Sequence, residues 1–197
     1  MIYSLKKVVS RLFTIVNYFI GSWPSALGGS SLRKTVWCRY LQGCGEGVRF
    51  GDNFTITGLS SIRIGNKSSF MSGGFLYSHN GGRIEVGDNC SFNHNVMLGA
   101  AEGGTIEIGD NVLIGPNVVL RASDHVFDDT SRPISSQGHR GGSIIIDDDV
   151  WIVSNVVITK DVHIGKGVVV GAGSVVTHDL SSMTICAGVP AKLIRSR

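Results

Sequence analysis

From residue 64 onward an aliphatic or aromatic residue recurs every sixth position: Ile64, Phe70, Leu76; Val86, Phe92, Leu98; Ile108, Ile114, Leu120; Ile146, Ile152, Ile158; and Ile164, Val170, Val176. Four positions after most of these stands a small or apolar residue, as in Ser68, Val96, Val118, Val156 and Val168. A period of six fits neither an amphipathic helix nor a hairpin sheet. It fits short parallel strands joined by tight turns, three to an 18-residue coil, each coil stacking its apolar residues on those below at about 4.8 Å. The expected fold is all-β, a triangular-prism solenoid around a column of Ile, Val, Leu and Phe. The less regular "FGDNFTI" at 50–56 reads as an earlier coil. Twenty-seven glycines against four prolines suit many tight turns. Gly65, Gly87, Gly99, Gly109, Gly115, Gly165 and Gly171 directly follow core positions, where a turn is expected to need glycine's conformational freedom.

Departures from 18 carry as much information as the period. The step from Ile64 to Val86 is 22, from Val86 to Ile108 is 22 and from Ile108 to Ile146 is 38, which means insertions of 4, 4 and 20 residues in the same part of the coil. Each ends alike, in "GGRIEV", "GGTIEI" and "GGSIII". Three loops therefore leave one corner of the prism in a stack. The topmost, 121–143, holds two histidines, three aspartates and three arginines with no period. A long structureless loop in so regular a scaffold points to function.

The remaining features mostly exclude. A net charge of +3 with no basic stripe interleaved with aromatics argues against nucleic acid. Cys38, Cys44, Cys90 and Cys186 form no C-x-x-C pair and read as reduced thiols of a cytoplasmic protein. The basic, apolar stretch "LKKVVSRLFTIVNYFIGSW" is interrupted by Arg11 and Asn17 and falls short of the roughly 20 apolar residues a spanning helix needs. It reads as a short helix packed on its own domain or a neighbouring subunit, or as an amphipathic helix on a membrane surface with Lys6, Lys7 and Arg11 toward anionic lipid. A cleaved leader stays open, with "WPSALGG" a weak cleavage site.

The hexapeptide run, then "DHVFDD", then "DDDVWIVSNVVITKDVHIGKGVVVGAGSVVTHDL" and a closing "AGVPAKLIR", resembles the left-handed β-helix acyltransferases, most nearly sugar and polysaccharide O-acetyltransferases of the maltose and nodulation type. The match covers roughly residues 45–197. Residues 1–44, including "LRKTVWCRYL", resemble the helical lead-in of capsule and lipopolysaccharide members. The resemblance implies a left-handed parallel β-helix, a homotrimer, acetyl-CoA as co-substrate without a metal, a sugar or polysaccharide acceptor, and an active site between neighbouring prisms. It places the protein in the cytoplasm or at the inner face of the membrane. It makes His125 the general base, and the chemistry independently calls for a histidine: an alcohol needs a base that takes and returns a proton near neutrality. Asp124 either orients the imidazole or binds a sugar hydroxyl, and Asn93 matches a position that helps hold the acetyl group or acceptor. On the donor side Trp151, Ser154, Ala172, Thr177, Lys192 and Arg195 match positions lining the CoA groove, with Lys192 and Arg195 suited to its phosphates. His139, in the same loop, reads as a surface residue, as do His79 and His94. One departure stands out: where relatives read Trp-Ile-Gly, this chain has Val153, a poor guest if glycine's backbone freedom was in use.

Two other readings remain. One is N-acetylation of a nucleotide-linked amino sugar on the same scaffold. The other is a β-helix without acyl transfer, either a binding scaffold or a zinc enzyme. A zinc site would need three converging histidines, and no second histidine lies between Leu120 and Thr130.

Overall fold

The computed structural model describes residues 15–197, which form a solenoid of six coils, each contributing one strand to each of three parallel sheets. The first sheet stacks Gly43–Cys44, Ile62–Ile64, Arg83–Val86, Thr105–Ile108, Ser143–Ile146 and Val162–Ile164. The second stacks Arg49–Phe50, Ser69–Phe70, Ser91–Phe92, Leu113–Ile114, Trp151–Ile152 and Val169–Val170. The third stacks Thr55–Thr57, Phe75–Ser78, Met97–Ala100, Val119–Arg121, Val157–Ile158 and Val175–Val176. Register follows the sequence steps: Ile64 pairs with Val86, Val86 with Ile108, Ile108 with Ile146 and Ile146 with Ile164. All fifteen six-period residues are buried. All three insertions leave the corner between the third and first sheets, and their backbones bond in a stack, Gly103 N to Asn80 O and Thr105 N to Gly142 O.

The walls turn corners by a rule the glycine pattern misplaced. The left-handed residue lies three positions after the core residue, not one: Asn89 after Val86, Asn95 after Phe92, Asn117 after Ile114, Asn155 after Ile152, Gly173 after Val170. Asparagine tolerates that conformation, and the Asn95, Asn117 and Asn155 side chains join in a ladder at 3.1 and 3.0 Å. The glycine one position after the core has an ordinary φ and is there for space. A Cβ on Gly115 would lie 2.8 Å from Ser154 N in the coil above. Val153 occupies the same wall position without a left-handed φ, so the expected loss of turn geometry there does not arise.

Both ends of the column are covered, as a solenoid requires. At the base, helix α1 (residues 15–22) and helix α2 (Gly29–Tyr40) lie against the first coil. Trp37 is fully buried, its ring 5.0 Å from Phe50 and 5.9 Å from Phe54, and its Nε1 donates to Asn17 Oδ1 at 2.7 Å. The column continues upward through Phe70, stacked 4.4 Å from Phe92. Arg33 is also fully buried; its guanidinium donates to the carbonyls of Phe50 and Trp23 and to Asp52 Oδ1 at 2.7 Å. At the top, Thr184–Ala187 continues the second sheet and Lys192–Ser196 pairs with it antiparallel.

The cysteines depart from expectation. Cys38, in the last turn of α2, and Cys44, in the first strand, lie 5.2 Å apart at Cα and are joined as a disulfide. The chain reverses at Leu41, which brings two residues six positions apart to bonding distance. Cys90 and Cys186 are free and buried, and burial pushes the Cys90 thiol above its ordinary pKa. The Lys6, Lys7 and Arg11 reading lies outside the described residues. No helix among those described is long and apolar enough to cross a membrane.

Candidate active site

The 121–143 insertion is not structureless. After Arg121 the chain continues as Ser123–His125, pairs antiparallel with His139–Gly141, and returns to the wall at Ser143. The stem of this hairpin is fixed by backbone on both sides. Ala122 and Ser123 are buried, and Ala122 N donates to Gly99 O at 2.9 Å. Gly141 packs so closely on the loop below that a Cβ would lie 2.3 Å from Glu102 O. The outer loop, 126–138, is braced by Asp129, which accepts from Ser131 N and Oγ and from Arg132 Nε. These bonds, Ser131's first, hold the Asp129 carboxyl below the usual carboxylate range.

His125 stands exposed at the end of its strand, two residues past buried Ser123. It borders a cavity of about 170 Å³ lined by Asp124, Val126, Phe127, Asp128, Arg140 and Lys160. Arg140 pairs with Asp128 at 3.3 Å, and Lys160 with Asp161 at 2.6 Å. The Lys160 bond holds the Asp161 carboxyl low. Two cations and two carboxylates around a free imidazole make a surface rich in hydrogen-bonding groups and poor in net charge. Asp124 makes no hydrogen bond to His125; on the strand it is paired in register with Arg140. His139, expected only as a surface residue, is exposed and also directly opposite His125, with ring centroids 4.0 Å apart. Lys160 and Arg140 were likewise missed. Only the hairpin register brings residues 124–125 and 139–140 together, and the insertion has no period that announces it.

The other candidates fall on two corners. Trp151 projects half-exposed from the second sheet between Leu113 and Val169. Ser154 and Ala172 lie one above the other at the corner after that sheet, and exposed Lys192 and Arg195 are on the closing strand at its top. Asn93 shares this corner two coils below Ser154, its Oδ1 accepting from His94 N at 2.8 Å. Thr177 instead follows the third sheet, on the corner that carries the hairpin, and its hydroxyl bonds His178 Nδ1 at 2.8 Å. Asp124, His125 and Thr177 thus occupy one corner, and the remaining donor-side residues with Asn93 occupy the corner and sheet before it. His79, at the start of the lowest insertion, is bonded to Thr57 at 3.0 Å, and His163, on the first sheet, is bonded to Asp147 at 3.0 Å. A larger concavity of about 770 Å³ runs along the first sheet from Gly43 to Lys166 and contains none of the candidates. Among the described residues no three His, Cys, Asp or Glu side chains gather as a metal site.

No family model matches the chain. Among solved structures, a hexapeptide-repeat-containing acetyltransferase from Vibrio cholerae is 30% identical over 85% of this chain and 80% of its own, with a TM-score of 0.60. A second structure of that Vibrio cholerae acetyltransferase, in complex with acetyl-CoA, is 29% identical over 84% of this chain and 76% of its own, with a TM-score of 0.61. The N-acyltransferase AntD of Bacillus cereus, in complex with dTDP-4-amino-4,6-dideoxyglucose and coenzyme A, has a TM-score of 0.74 over 84% of this chain at 24% identity, a likeness of fold. Among curated proteins, 2,3,4,5-tetrahydropyridine-2,6-dicarboxylate N-acetyltransferases of Staphylococcus aureus and Clostridium perfringens are 50% and 56% identical over 52 residues. That stretch spans 26% of this chain and 22% of those enzymes.

Proposed function

The chain belongs to the hexapeptide-repeat, left-handed β-helix acetyltransferase family, and from that premise we propose that it moves an acetyl group from acetyl-CoA to a hydroxyl of a sugar, in the assembly of a surface polysaccharide such as capsule or lipopolysaccharide. The observation that carries the reading is His125: an imidazole with no hydrogen-bond partner among the described residues, held at the rim of a polar cavity by a stem anchored in the prism wall. Its ring takes the hydroxyl proton as the sugar oxygen attacks the thioester carbonyl. When the tetrahedral intermediate collapses, the C–S bond breaks and the proton passes to the departing CoA thiolate. Asp124 and the neighbouring charged groups offer hydrogen bonds to the sugar's other hydroxyls.

The donor would lie along the second sheet beside Trp151 and the turns of Ser154 and Ala172, with its phosphates toward Lys192 and Arg195. Since His125 and the donor-side residues other than Thr177 occupy different corners of one prism, the complete site needs the hairpin corner of one chain to face the donor flank of another. A homotrimer of prisms meets that need. Light scattering should find a trimer, and a stable monomer with full activity would end this account.

N-acetylation of a nucleotide-linked amino sugar is the second reading. It is favoured by the N-acyltransferases among the similar proteins, one of them solved with a dTDP-linked amino sugar. Purified protein supplied with acetyl-CoA should release free CoA thiol with defined glycans and leave a product whose acetyl group is removed by mild alkali. An alkali-stable product formed only from amino sugars would replace the first reading with the second.

We place the enzyme in the cytoplasm at the inner membrane face, where acetyl-CoA is supplied, with its base toward the bilayer; this placement rests on the donor and not on the cysteines, since the Cys38–Cys44 bridge removes the reduced-thiol argument. On α1, Ile15, Val16, Tyr18 and Phe19 are exposed while Asn17 and Ile20 face the core. Residues 1–45 hold six Lys or Arg and no Asp or Glu, in a chain whose overall charge is only +3. An exposed apolar face beside acid-free basic sequence suits anionic lipid. Vesicles with and without anionic lipid test this by co-sedimentation, and equal recovery from both would refute the electrostatic part.

A further inference from the structure

We propose that His139 is a positioning residue that holds the imidazole of His125 in its working orientation by contact between the two rings. The proposal rests on the reading of His125 as the general base. A base of this kind is ordinarily oriented by a third group, a backbone carbonyl or a carboxylate accepting from the far ring nitrogen. Among the described residues no carbonyl or carboxylate is hydrogen-bonded to the His125 ring. Asp124 precedes it on the strand and is paired in register with Arg140, and Asp128 is engaged by that same arginine. What His125 does have is a ring partner, the His139 imidazole with its centroid 4.0 Å away and its plane tilted by 38°.

The contact is fixed by the backbone. His125 and His139 are register partners in the two-stranded stem, and Val126 N donates to Gly138 O at 3.0 Å just beyond them. On the other side of the pair the stem enters the wall through buried Ser123 and closely packed Gly141. Directly opposed residues on an antiparallel pair keep their Cβ atoms about 5 Å apart, so each ring restricts the rotation of the other. An unrestrained imidazole on an exposed strand end would spend much of its time turned away from the acceptor hydroxyl. The ring opposite takes the place of a carbonyl or carboxylate as the restraint.

The test compares His139→Ala and His139→Phe with the parent enzyme, using His125→Ala as reference. His139→Ala should lower kcat roughly tenfold, the scale of a small misplacement of a catalytic group, with KM for acetyl-CoA unchanged. His139→Phe keeps a flat ring and should recover kcat to within about threefold of the parent. In the free protein, the His125 ring resonances should move in the alanine variant. Parent-like kcat in His139→Ala would overturn the proposal. So would a phenylalanine variant as impaired as alanine, since the nitrogens rather than the ring face would then matter. Unmoved His125 resonances would remove the contact itself while leaving the base intact, whereas a fully active His125→Ala enzyme would remove the base.

Discussion

Leu120 and His125 are five residues apart and live under different rules. Leu120 is fully buried between Leu98 below and Ile158 above, one copy among many of the same wall position. His125 is exposed on a hairpin that occurs once, and its ring touches the ring of one other residue. The wall repeats one solution to burying apolar surface, so what it does is set by residue type and period. The hairpin buries little beyond its stem, and what it does is set by which polar groups its register brings together. Damage to the wall should therefore appear as lost stability, and damage to the hairpin as lost chemistry.

Phe70→Ala puts the largest strain on that distinction. Phe70 stacks between Phe50 at 5.4 Å and Phe92 at 4.4 Å, so its loss opens a cavity in the middle of the column. Denaturant unfolding should show a loss of about 3–5 kcal/mol, with turnover per folded molecule retained. His125→Ala should do the reverse. Turnover should fall by roughly 10²-fold or more, about 2.7 kcal/mol, with acetyl-CoA affinity retained. Its unfolding midpoint should stay within about 0.5 kcal/mol of the parent, as for a surface change. A large midpoint shift in the histidine variant would mean that the hairpin is part of the fold's structural core after all.

How far the sequence could be read follows the same division. Coil number, register and the corner that carries the loops were all legible, because stacking at a fixed spacing forces a one-dimensional pattern onto residues such as Ile108, Ile146 and Ile164. His125 was singled out in the insertion through family resemblance. Its partner was not: His139 lies 14 residues away, and only backbone pairing in the stem brings them together. The disulfide between Cys38 and Cys44 was hidden likewise, since it depends on how sharply α2 ends at Leu41. The glycine pattern was read correctly as a wall feature but for the wrong cause, steric closeness having been taken for conformational need.

That last point can be separated by experiment within the wall. Gly173 has φ +70° and no neighbour within 4 Å of a would-be Cβ, so Gly173→Ala measures the left-handed conformation alone. It should cost about 1–2 kcal/mol, and Gly173→Asn less, since Asn155 and Asn117 hold the same place in lower coils. Gly115→Ala, at an ordinary φ but 2.8 Å from Ser154 N, must instead move backbone. It should be rescued by no side chain, asparagine included. If asparagine restores stability at 115 as well as at 173, the two glycines serve one purpose and the distinction drawn between them is wrong.

The smallest expected effect lies where the base helices meet the wall, and it is seen only as pH changes. Asp52, in the first coil, accepts from Ser25 N at 2.8 Å, from the Ser25 hydroxyl, and from the buried Arg33 guanidinium at 2.7 Å. The Ser25 hydroxyl bond first, with Arg33 beside it, holds the carboxyl below its ordinary value of 3.8. A carboxylate with a depressed folded-state pKa stabilises the fold fully above its unfolded value, and that contribution fades as pH falls through the lower, folded value. The unfolding-midpoint difference between the parent and Asp52→Asn should therefore be constant from neutrality down to about pH 4 and shrink below it. The carboxylate side chain is 38% exposed, so salt should reduce the difference at neutral pH. Arg33 keeps its carbonyl partners in the variant, which limits the loss to the ionic part of the clamp. A difference that persists undiminished well below pH 3 would show that Asp52 serves by shape and hydrogen bonding and not by charge. The junction of helices and wall would then follow the packing rule of the coils.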